Sequence, residues 1–348
     1  MAQKARRKGV NLRPHVKTHK IPQAAKLQIQ NHFGGITVST IAEAVAFADA
    51  GFCDITYAVP LSPNKVARVL PLAKRIQLQV LVDNQQTVDA LLALGAKNQH
   101  VFQVLIKVDC GYHRAGLLPT DPLLISLAQQ LHHSQWINFC GVLSHGGHSY
   151  NCIDRHGIAK IAEQEREQTL IAANSIRASS VPVRTVSIGS TPTCAVGENL
   201  TGITEIRPGN YIFFDRFQAA IGSCTLQDVA LSVLTEVIGY YPGRNCILID
   251  AGALALSKDQ GATHTDTTGY GSICSEHGTP IGELELYSLS QEHGKIRATT
   301  DFDFSSLQIG SKLRIIPNHS CLVTALHEQI HVVQDNQILQ SWTPIRGW

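Results

Sequence analysis

The sequence predicts an α/β protein, a TIM-type (β/α)8 barrel followed by a C-terminal β-rich domain. The first observation is length, because 348 residues exceed one average domain, while a barrel alone reaches about 250 residues. The second is that strand-like and helix-like stretches alternate through residues 1–225, which favours a parallel sheet. The third is a change after that point to short alternating strands separated by turns.

The barrel strands are predicted from runs rich in Val, Ile and Leu rather than from strict alternation. Such continuous apolar runs are typical of parallel strands that are covered on both faces. A basic helix stopped by Gly9 precedes the first strand. The eight predicted strands are 10–17, 35–39, 54–59, 76–82, 101–109, 137–144, 183–188 and 205–214, and the clearest helical patterns are 41–50, 64–74, 87–94 and 154–177.

A second domain is predicted over residues 226–348, after the barrel domain at 1–225. Its strands are short and alternate polar with apolar residues, and turns such as Pro242-Gly243 separate them. The predicted strands are 230–240, 245–250, 282–289, 312–316 and 330–334.

Composition and charge exclude several classes of function. With 44% hydrophobic and 16% charged residues, the chain has enough apolar material for a large core. A net charge of +2 gives no electrostatic case for nucleic acid or a membrane surface as partner. No apolar stretch follows the basic start, and no run approaches the roughly 20 apolar residues of a membrane span. The nine cysteines lack a C-x-x-C spacing, which favours a reducing compartment, so we expect a cytoplasmic protein.

The stretch from Arg13 to Lys20 concentrates ionisable side chains at the end of the first predicted strand. Two lysines, two histidines and an arginine are costly to place there unless the charge is used. Lys17 follows the apolar Val16, a usual setting for an amine that must be uncharged to react. We therefore expect Lys17 to be a reactive amine.

Ionisable residues also follow other predicted strands. Arg114 comes after the fifth strand and His145 closes the sixth, as Lys17 and His19 close the first. Loops after barrel strands converge at one mouth, so these side chains are expected to meet there. Any one of them alone is more often a surface or core residue, but together they indicate an active site.

Two later strand ends have the composition of anion cradles. Residues 187–193 contribute a glycine, hydroxyl groups and backbone amides after the seventh strand, and residues 205–211 lie at the eighth. Phosphate at the last two strands is a recurring arrangement in barrels. A phosphate cradle beside a strand-end lysine and histidines indicates pyridoxal 5'-phosphate bound to the lysine.

His319 and Cys321 are candidate metal ligands in the second domain. On a strand, residues two apart face the same side, so the imidazole and the thiolate can reach one point. This pair favours zinc, and two protein ligands leave positions for water or substrate, as in catalytic sites. A buried cysteine beside a loop histidine has the same spacing, and spacing alone leaves both interpretations open.

These motifs, taken in order, resemble the metal-dependent D-serine dehydratase and D-threonine aldolase family. Its members are relatives of alanine racemase with the type III pyridoxal phosphate fold. The resemblance spans nearly the whole chain. It covers residues 13–20, 109–116, 187–193, 207–211, 250–252, 275–278 and 317–321.

The resemblance implies a role for each matched residue. Lys17 carries the cofactor, Arg114 binds its phenolic oxygen and His145 lies beside its pyridine ring. The implied phosphate contacts are Ser190, Thr191, Gly209 and Asn210, and the implied zinc ligands are His319 and Cys321. Aldolases of the family tend to carry His and Asp instead, so Cys321 favours a dehydratase.

The implied reaction eliminates water from a D-3-hydroxy amino acid such as D-serine and gives a 2-keto acid and ammonia. Lys17 removes the α-proton, and zinc makes the β-hydroxyl a better leaving group. The closest alternative is a D-threonine-type aldolase, which uses a cation such as Mn2+ and releases glycine and an aldehyde. An alternative of another class is a non-catalytic pyridoxal phosphate-binding protein.

The resemblance also implies a homodimer, because family members often pair so that one subunit's β domain completes the other's site. Family members usually carry a strand and a helix before the first motif. Here only the tail of that helix, about Ala2 to Gly9, precedes it, so we expect either an upstream start or a shortened second domain.

Overall fold

The computed structural model describes residues 1–347, which form two compact units. The first unit comprises residues 1–152, 156–209 and 345–347, and the second comprises 153–155 and 210–344. The second unit therefore begins before the boundary that the sequence places between residues 225 and 226.

Eight parallel strands form the sheet of the first unit, and they match the eight that the sequence predicts. They are β1 Asn11–Leu12, β2 Ile36–Val38, β3 Asp54–Pro60, β4 Gln77–Val82, β5 Phe102–Lys107, β6 Ile137–Leu143, β7 Thr185–Ile188 and β8 Glu205–Ile206. Consecutive strands are neighbours from β2 to β8, and β1 lies beside β8. A bridge between His15 and Thr37, where the Thr37 amide donates to the Pro14 carbonyl at 2.9 Å, joins the two ends of the sheet. The predicted barrel is confirmed.

Helices connect most of these strands. The first, α1 Ala2–Lys8, is the predicted basic helix, and it ends at Gly9, whose φ of 66° is left-handed and favours glycine. Thr40, Asn84 and Asp121 cap other helices by accepting a hydrogen bond from an amide of the first turn. Through residue 347, no helix is long and apolar enough to span a membrane. The remaining helices of this unit are α2 Pro22–Ile29, α3 Ile41–Asp49, α4 Pro63–Ala73, α5 Gln85–Asn98, α6 Pro122–His133, α7 Arg155–Ala178 and α8 Thr191–Val196.

The first and last barrel strands are shorter than predicted, because a proline follows each of them. Pro14 and Pro208 have no amide proton to donate to a strand ladder. The strand expected over residues 10–17 ends early, and Val16–Thr18 form a 3-10 turn instead. Lys17 therefore lies in a tight turn beyond the strand rather than on its last position.

Arg13, a cation of the opening stretch, is buried and paired with two carboxylates. Its Nε donates to Glu205 Oε2 and its Nη1 donates to Asp54 Oδ1, both at 2.6 Å. Its guanidinium also lies 4.8 Å from the centre of the Phe33 ring. A buried charge is tolerated when it is paired and hydrogen-bonded in this way. These contacts join the end of β1 to β8 and β3, so Arg13 stabilises the fold.

A six-stranded antiparallel sheet and a two-stranded hairpin make up the second unit, which confirms the β-rich domain. Its strands are β9 Val233–Tyr241, β10 Cys246–Ile249, β11 Gly271–Ser275, β12 Leu284–Leu289, β13 Gly294–Ala298, β14 Lys312–Pro317, β15 Ile330–Gln334 and β16 Gln337–Trp342. The larger sheet has the order β11-β14-β9-β10-β13-β12, and its core includes Val237, Ile247, Leu286 and Ile296. The helices of this unit are α9 Arg216–Ala220, α10 Ala253–Leu256 and α11 Ser320–Leu326.

The sequence does not predict β11, β13 and β16. The first two begin with glycine and carry small or charged residues, which weakens the apolar signal of a strand. The third, β16, follows the Asp335-Asn336 turn and pairs with β15 as a hairpin. Both turn residues have positive φ, as hairpin turns require.

Candidate active site

The predicted site residues lie in both compact units. Those of the first unit follow barrel strands, as expected for groups at a barrel mouth. Lys17, Arg114, His145, Ser190, Thr191 and Gly209 belong to the first unit, and Asn210, His319 and Cys321 belong to the second.

Lys17 lies in the turn after β1 with its side chain exposed. The neighbouring His15 caps this turn, and its Nε2 lies 3.3 Å from the Ser39 hydroxyl. Burial, followed by the charges of Lys17 and Arg207, lowers the pKa of His15 well below its usual value. His15 is therefore neutral at neutral pH, and the neighbouring lysine and arginine supply the positive charge.

His145, just after β6, donates from Nδ1 to the Gly189 carbonyl at 2.8 Å. Because a carbonyl only accepts, the ring proton is on Nδ1 and Nε2 keeps its lone pair. Burial and the charge of Lys107 lower the pKa of His145 well below its usual value. The ring is a neutral acceptor through Nε2.

Arg114 follows β5 and contacts an aromatic ring that the sequence did not single out. Its guanidinium carbon lies 5.0 Å from the centre of the Tyr112 ring. The same ring lies 6.0 Å from His145, edge to face. Gly147 permits this packing, because a Cβ there would lie 2.3 Å from the tyrosine ring. The Tyr112 ring thus packs against both Arg114 and His145.

Two further cations lie at this mouth, and sequence reasoning missed both as site residues. Lys107 ends β5 and is buried, and its Nζ donates to the Val108 carbonyl at 3.3 Å. Burial and the charge of Arg207 lower the pKa of Lys107 to about 8. Arg207, buried after β8, donates to the Ser187 hydroxyl and the Ser144 carbonyl. A charged residue that directly ends or follows an apolar strand is the signal that could have identified them.

Ser190, Thr191 and Gly209 lie together beside the turn that holds Lys17. The Ser190 hydroxyl caps α8 and accepts a hydrogen bond from the Thr193 amide at 3.2 Å. The Gly209 amide donates to the Thr191 hydroxyl at 3.3 Å. A Cβ on Gly209 would lie 2.8 Å from the His15 carbonyl, so this close approach requires glycine.

The groups at this mouth fit an anionic cofactor such as pyridoxal phosphate. Lys17, Lys107, Arg114 and Arg207 are near enough to act on one another or on the two histidines electrostatically. A partly buried cleft lined by one sign of charge attracts ligands of the opposite sign. The hydroxyl groups of Ser190 and Thr191 supply the neutral contacts that such a ligand also needs.

His19, which the sequence also places at the mouth, belongs to the core. It is fully buried. Its Nδ1 accepts a hydrogen bond from the Ile21 amide at 2.9 Å, and its Nε2 donates to Gln28 Oε1 at 2.9 Å. Burial lowers the pKa of His19 to about 4.

We expect the fold to lose stability below neutral pH partly through His19. Its pKa is about 4 when folded and near 6.5 when unfolded, so the unfolded state takes up the proton first as pH falls. This contribution is complete above pH 6.5 and is lost as pH falls toward 4, and the loss reaches about 2 kcal/mol at about pH 5. Urea unfolding of the native chain and of His19→Gln across this range measures it. Equal pH dependence in the two proteins would contradict the assignment.

Asn210 begins the second unit, where its side chain lies in a buried polar cluster. Its Nδ2 donates to Asp215 Oδ2 at 2.7 Å and to the Ser320 hydroxyl at 2.9 Å. The Ser320 amide also donates to Asp215, at 3.0 Å. Burial raises the pKa of Asp215. A phosphate contact by Asn210 stays a prediction.

The prediction that His319 and Cys321 share a strand is wrong, because β14 ends at Pro317 and α11 begins at Ser320. The two side chains interact nevertheless, and Nδ1 of His319 donates to Asp259 Oδ2 at 3.0 Å. Burial alone would lower the pKa of His319, but Asp259 and Cys321 raise it to about 10. The turn between β14 and α11, rather than a strand, therefore brings the two side chains together.

This pair fits zinc by its chemistry, as an open site rather than a closed one. An imidazole and a thiol are donors that zinc prefers. Asp259, which sequence reasoning missed, holds Nδ1 of His319, so Nε2 is the nitrogen that a metal would bind in place of a proton. Within residues 1–347, no group of three or more His, Cys, Asp or Glu side chains is arranged to hold a metal ion. A metal bound by His319 and Cys321 would keep positions for water or substrate.

Two family models match most of the chain. Residues 1–216 match the alanine racemase N-terminal domain, and residues 230–333 match a putative serine dehydratase domain. A D-serine dehydratase of Dictyostelium discoideum is 40% identical, in an alignment that covers 100% of this chain and 93% of that protein. A D-threonine aldolase of Arthrobacter sp. is 28% identical, with 97% and 86% covered.

A solved structure of the same kind superposes closely. The D-threo-3-hydroxyaspartate dehydratase from Delftia sp. HT23 gives a TM-score of 0.95 at 36% identity, covering 99% of this chain and 93% of that chain. A variant of that enzyme with a cysteine replaced by alanine, in the metal-free form, gives the same TM-score of 0.95.

Proposed function

This chain belongs to the D-serine dehydratase and D-threonine aldolase family with an alanine racemase-like barrel, and from that premise we propose that it eliminates water from a D-3-hydroxy amino acid. The net products are a 2-keto acid and ammonia, and D-serine would give pyruvate. The named relatives are dehydratases and aldolases, so the chain is a lyase. A homodimer in the cytoplasm is part of the same proposal and rests on the family resemblance and the dispersed cysteines.

Pyridoxal 5'-phosphate and zinc are the proposed cofactors. When bound, the first supplies an electron sink for the substrate's Cα, and the second supplies a Lewis acid for its β-hydroxyl. The cation-rich barrel mouth supports the first, and the thiol–imidazole pair supports the second. The residues that would hold pyridoxal phosphate are Lys17, Arg114, His145, Ser190, Thr191, Gly209 and Asn210, and those that would hold zinc are His319 and Cys321.

Lys17 is the base in this proposal. Its amine is exposed on a tight turn after β1, where it can accept the α-proton of a bound substrate. His145 presents an unprotonated Nε2 because its Nδ1 is held by the Gly189 carbonyl. Lys107 and Arg207, both buried, add positive charge that retains anionic groups at the mouth.

The thiol–imidazole pair of Cys321 and His319 is the observation that carries the choice of a dehydratase. A hydroxyl leaves more readily when a metal stabilises the developing negative charge on its oxygen. The identity of 40% with a D-serine dehydratase supports the same choice.

A D-threonine-type aldolase is the second candidate, and the relative that is 28% identical over nearly the whole chain favours it. In that reaction a base removes the proton of the β-hydroxyl and the Cα–Cβ bond breaks, giving glycine and an aldehyde. A non-catalytic carrier is not retained, since the relatives are lyases.

Product analysis tests the proposal. Purified protein with pyridoxal phosphate and zinc is expected to convert D-serine or D-threo-3-hydroxyaspartate to a 2-keto acid and ammonia in equal amounts, while L-serine serves as the control. Treatment with EDTA should stop turnover and leave the visible absorbance of the bound cofactor intact. Glycine and acetaldehyde from D-threonine, without keto acid from D-serine, would establish the aldolase instead.

A further inference from the structure

Glu165 is a buried carboxylate on α7 that the proposed reaction does not use. Its side chain is fully buried, which is costly for a carboxylate unless hydrogen bonds satisfy it. Its Oε1 accepts from the Gly146 amide at 2.6 Å and the Gly189 amide at 2.9 Å, and its Oε2 accepts from the Thr193 hydroxyl at 2.8 Å. Two of these donors are backbone amides and the third is a side-chain hydroxyl, so the hydrogen bonds of this carboxylate all come from uncharged groups.

The two amide donors belong to different loops that carry site residues. Gly146 follows His145 after β6, and Gly189 precedes Ser190 after β7. Because one oxygen of Glu165 accepts from both amides, it holds the two loops together. A Cβ on Gly146 would lie 2.7 Å from Oε2, so the approach of the carboxylate requires glycine.

Gly189 links Glu165 to the His145 ring. Its amide donates to the carboxylate, and its carbonyl accepts from Nδ1 of His145 at 2.8 Å. The φ of Gly189 is 137°, in the region that favours glycine. A carbonyl held in this orientation keeps the ring proton on Nδ1 and the lone pair on Nε2.

The loop after β7 is fixed by the same carboxylate through Thr193. The Thr193 hydroxyl donates to Glu165 and accepts from the Ser190 amide at 3.0 Å. The backbone of Ser190, which precedes Thr191, is therefore positioned by the carboxylate as well.

We propose that Glu165 is a positioning residue that holds the loops after β6 and β7, so that His145 presents an unprotonated Nε2 and Ser190 and Thr191 face the cofactor phosphate. The role of these groups rests on the proposed function. The tautomer of His145 does not depend on the proposed function, because it can be measured without any cofactor.

Three variants separate position from charge. Glu165→Asp keeps the charge but is one methylene shorter, so it cannot reach both loops. Glu165→Gln loses the charge but keeps an oxygen for the two amides, and its NH2 group can donate to the Thr193 hydroxyl. Glu167→Ala changes an exposed carboxylate on the same helix and serves as the control. Circular dichroism checks that each variant is folded.

Histidine-selective 15N NMR of the cofactor-free protein gives the first readout, with His145 assigned by its loss in His145→Asn. In the native chain, in Glu165→Gln and in Glu167→Ala, His145 should show a protonated Nδ1 and an unprotonated Nε2. In Glu165→Asp it should show a mixture of tautomers.

Absorbance titration with pyridoxal phosphate gives the second readout. Binding should weaken about tenfold or more in Glu165→Asp and change less than about threefold in Glu165→Gln and the control. Native behaviour of Glu165→Asp, or a larger defect in Glu165→Gln than in Glu165→Asp, overturns the proposal. Failure of the native chain to bind pyridoxal phosphate would overturn the proposed function. The 15N signals of the His145 ring would still test the role of Glu165.

Discussion

Replacing Lys17 with alanine is expected to abolish both turnover and the covalent attachment of pyridoxal phosphate. The substitution removes the amine that is exposed in the turn after β1 and that accepts the α-proton in the proposed reaction. Loss of a general base alone costs about 10²- to 10⁴-fold in rate, and loss of the anchor adds to this. The measurements are the rate of keto-acid formation and the visible absorbance of the bound cofactor.

Lys20 provides a matched control for this experiment. It lies three residues further along, and its Nζ is paired with Glu43 at 3.1 Å. Lys20→Ala should keep the absorbance and most of the activity. If the absorbance instead survives in Lys17→Ala, the cofactor is anchored elsewhere, and Lys107 becomes the lysine to test.

Replacing Cys321 with alanine is expected to remove zinc and to stop elimination. The change leaves His319 as the single proposed protein ligand, which is too few to retain a metal ion in competition with water. Without the Lewis acid, the β-hydroxyl must leave unassisted, and we expect keto-acid formation to fall about a thousandfold or more. Metal content by elemental analysis and the turnover of D-serine give the two readouts.

Cys224→Ala is the control for the metal experiment, because Cys224 is also a partly buried thiol of the second unit. It should retain the zinc content and the turnover of the native chain. Undiminished turnover after complete removal of the metal would refute the role of zinc and return His319 and Cys321 to a structural role.

The order of strands and helices in the barrel could be predicted from the sequence because continuous apolar runs mark parallel strands. The residues at which these strands end could not be predicted. The turn at Val16–Thr18 follows from the proline before it and from a partner strand about 190 residues away in sequence, which a local pattern does not contain. In the second unit, β11 and β13 were missed because burial against neighbours, not apolar content, makes them strands.

Candidate site residues could be identified from the sequence where a residue type is unusual for its position. Lys17 and His145 meet that condition, as charged or polar groups that follow apolar strands. His19 meets this condition too but is a core residue, because its partners are Ile21, just before α2, and Gln28 on α2, and a strand-end pattern does not show them. Glu165 could not be predicted, since a glutamate on a helix is most often exposed and only the fold shows that this one is buried.

The turn that carries Lys17 reaches its final position in the barrel only after β1 has paired with β8. It follows β1, whose Asn11 and Leu12 pair with Glu205 and Ile206 of β8, so the strands that frame the turn come from opposite ends of the barrel sequence. Closing so long a loop costs chain entropy before any contact stabilises it, and such non-local pairing slows folding. A nascent chain therefore lacks part of the candidate site until β8 has been synthesised. The proposed cofactor, pyridoxal phosphate, would stabilise the finished barrel by mass action and would not act as a template for the early steps of folding.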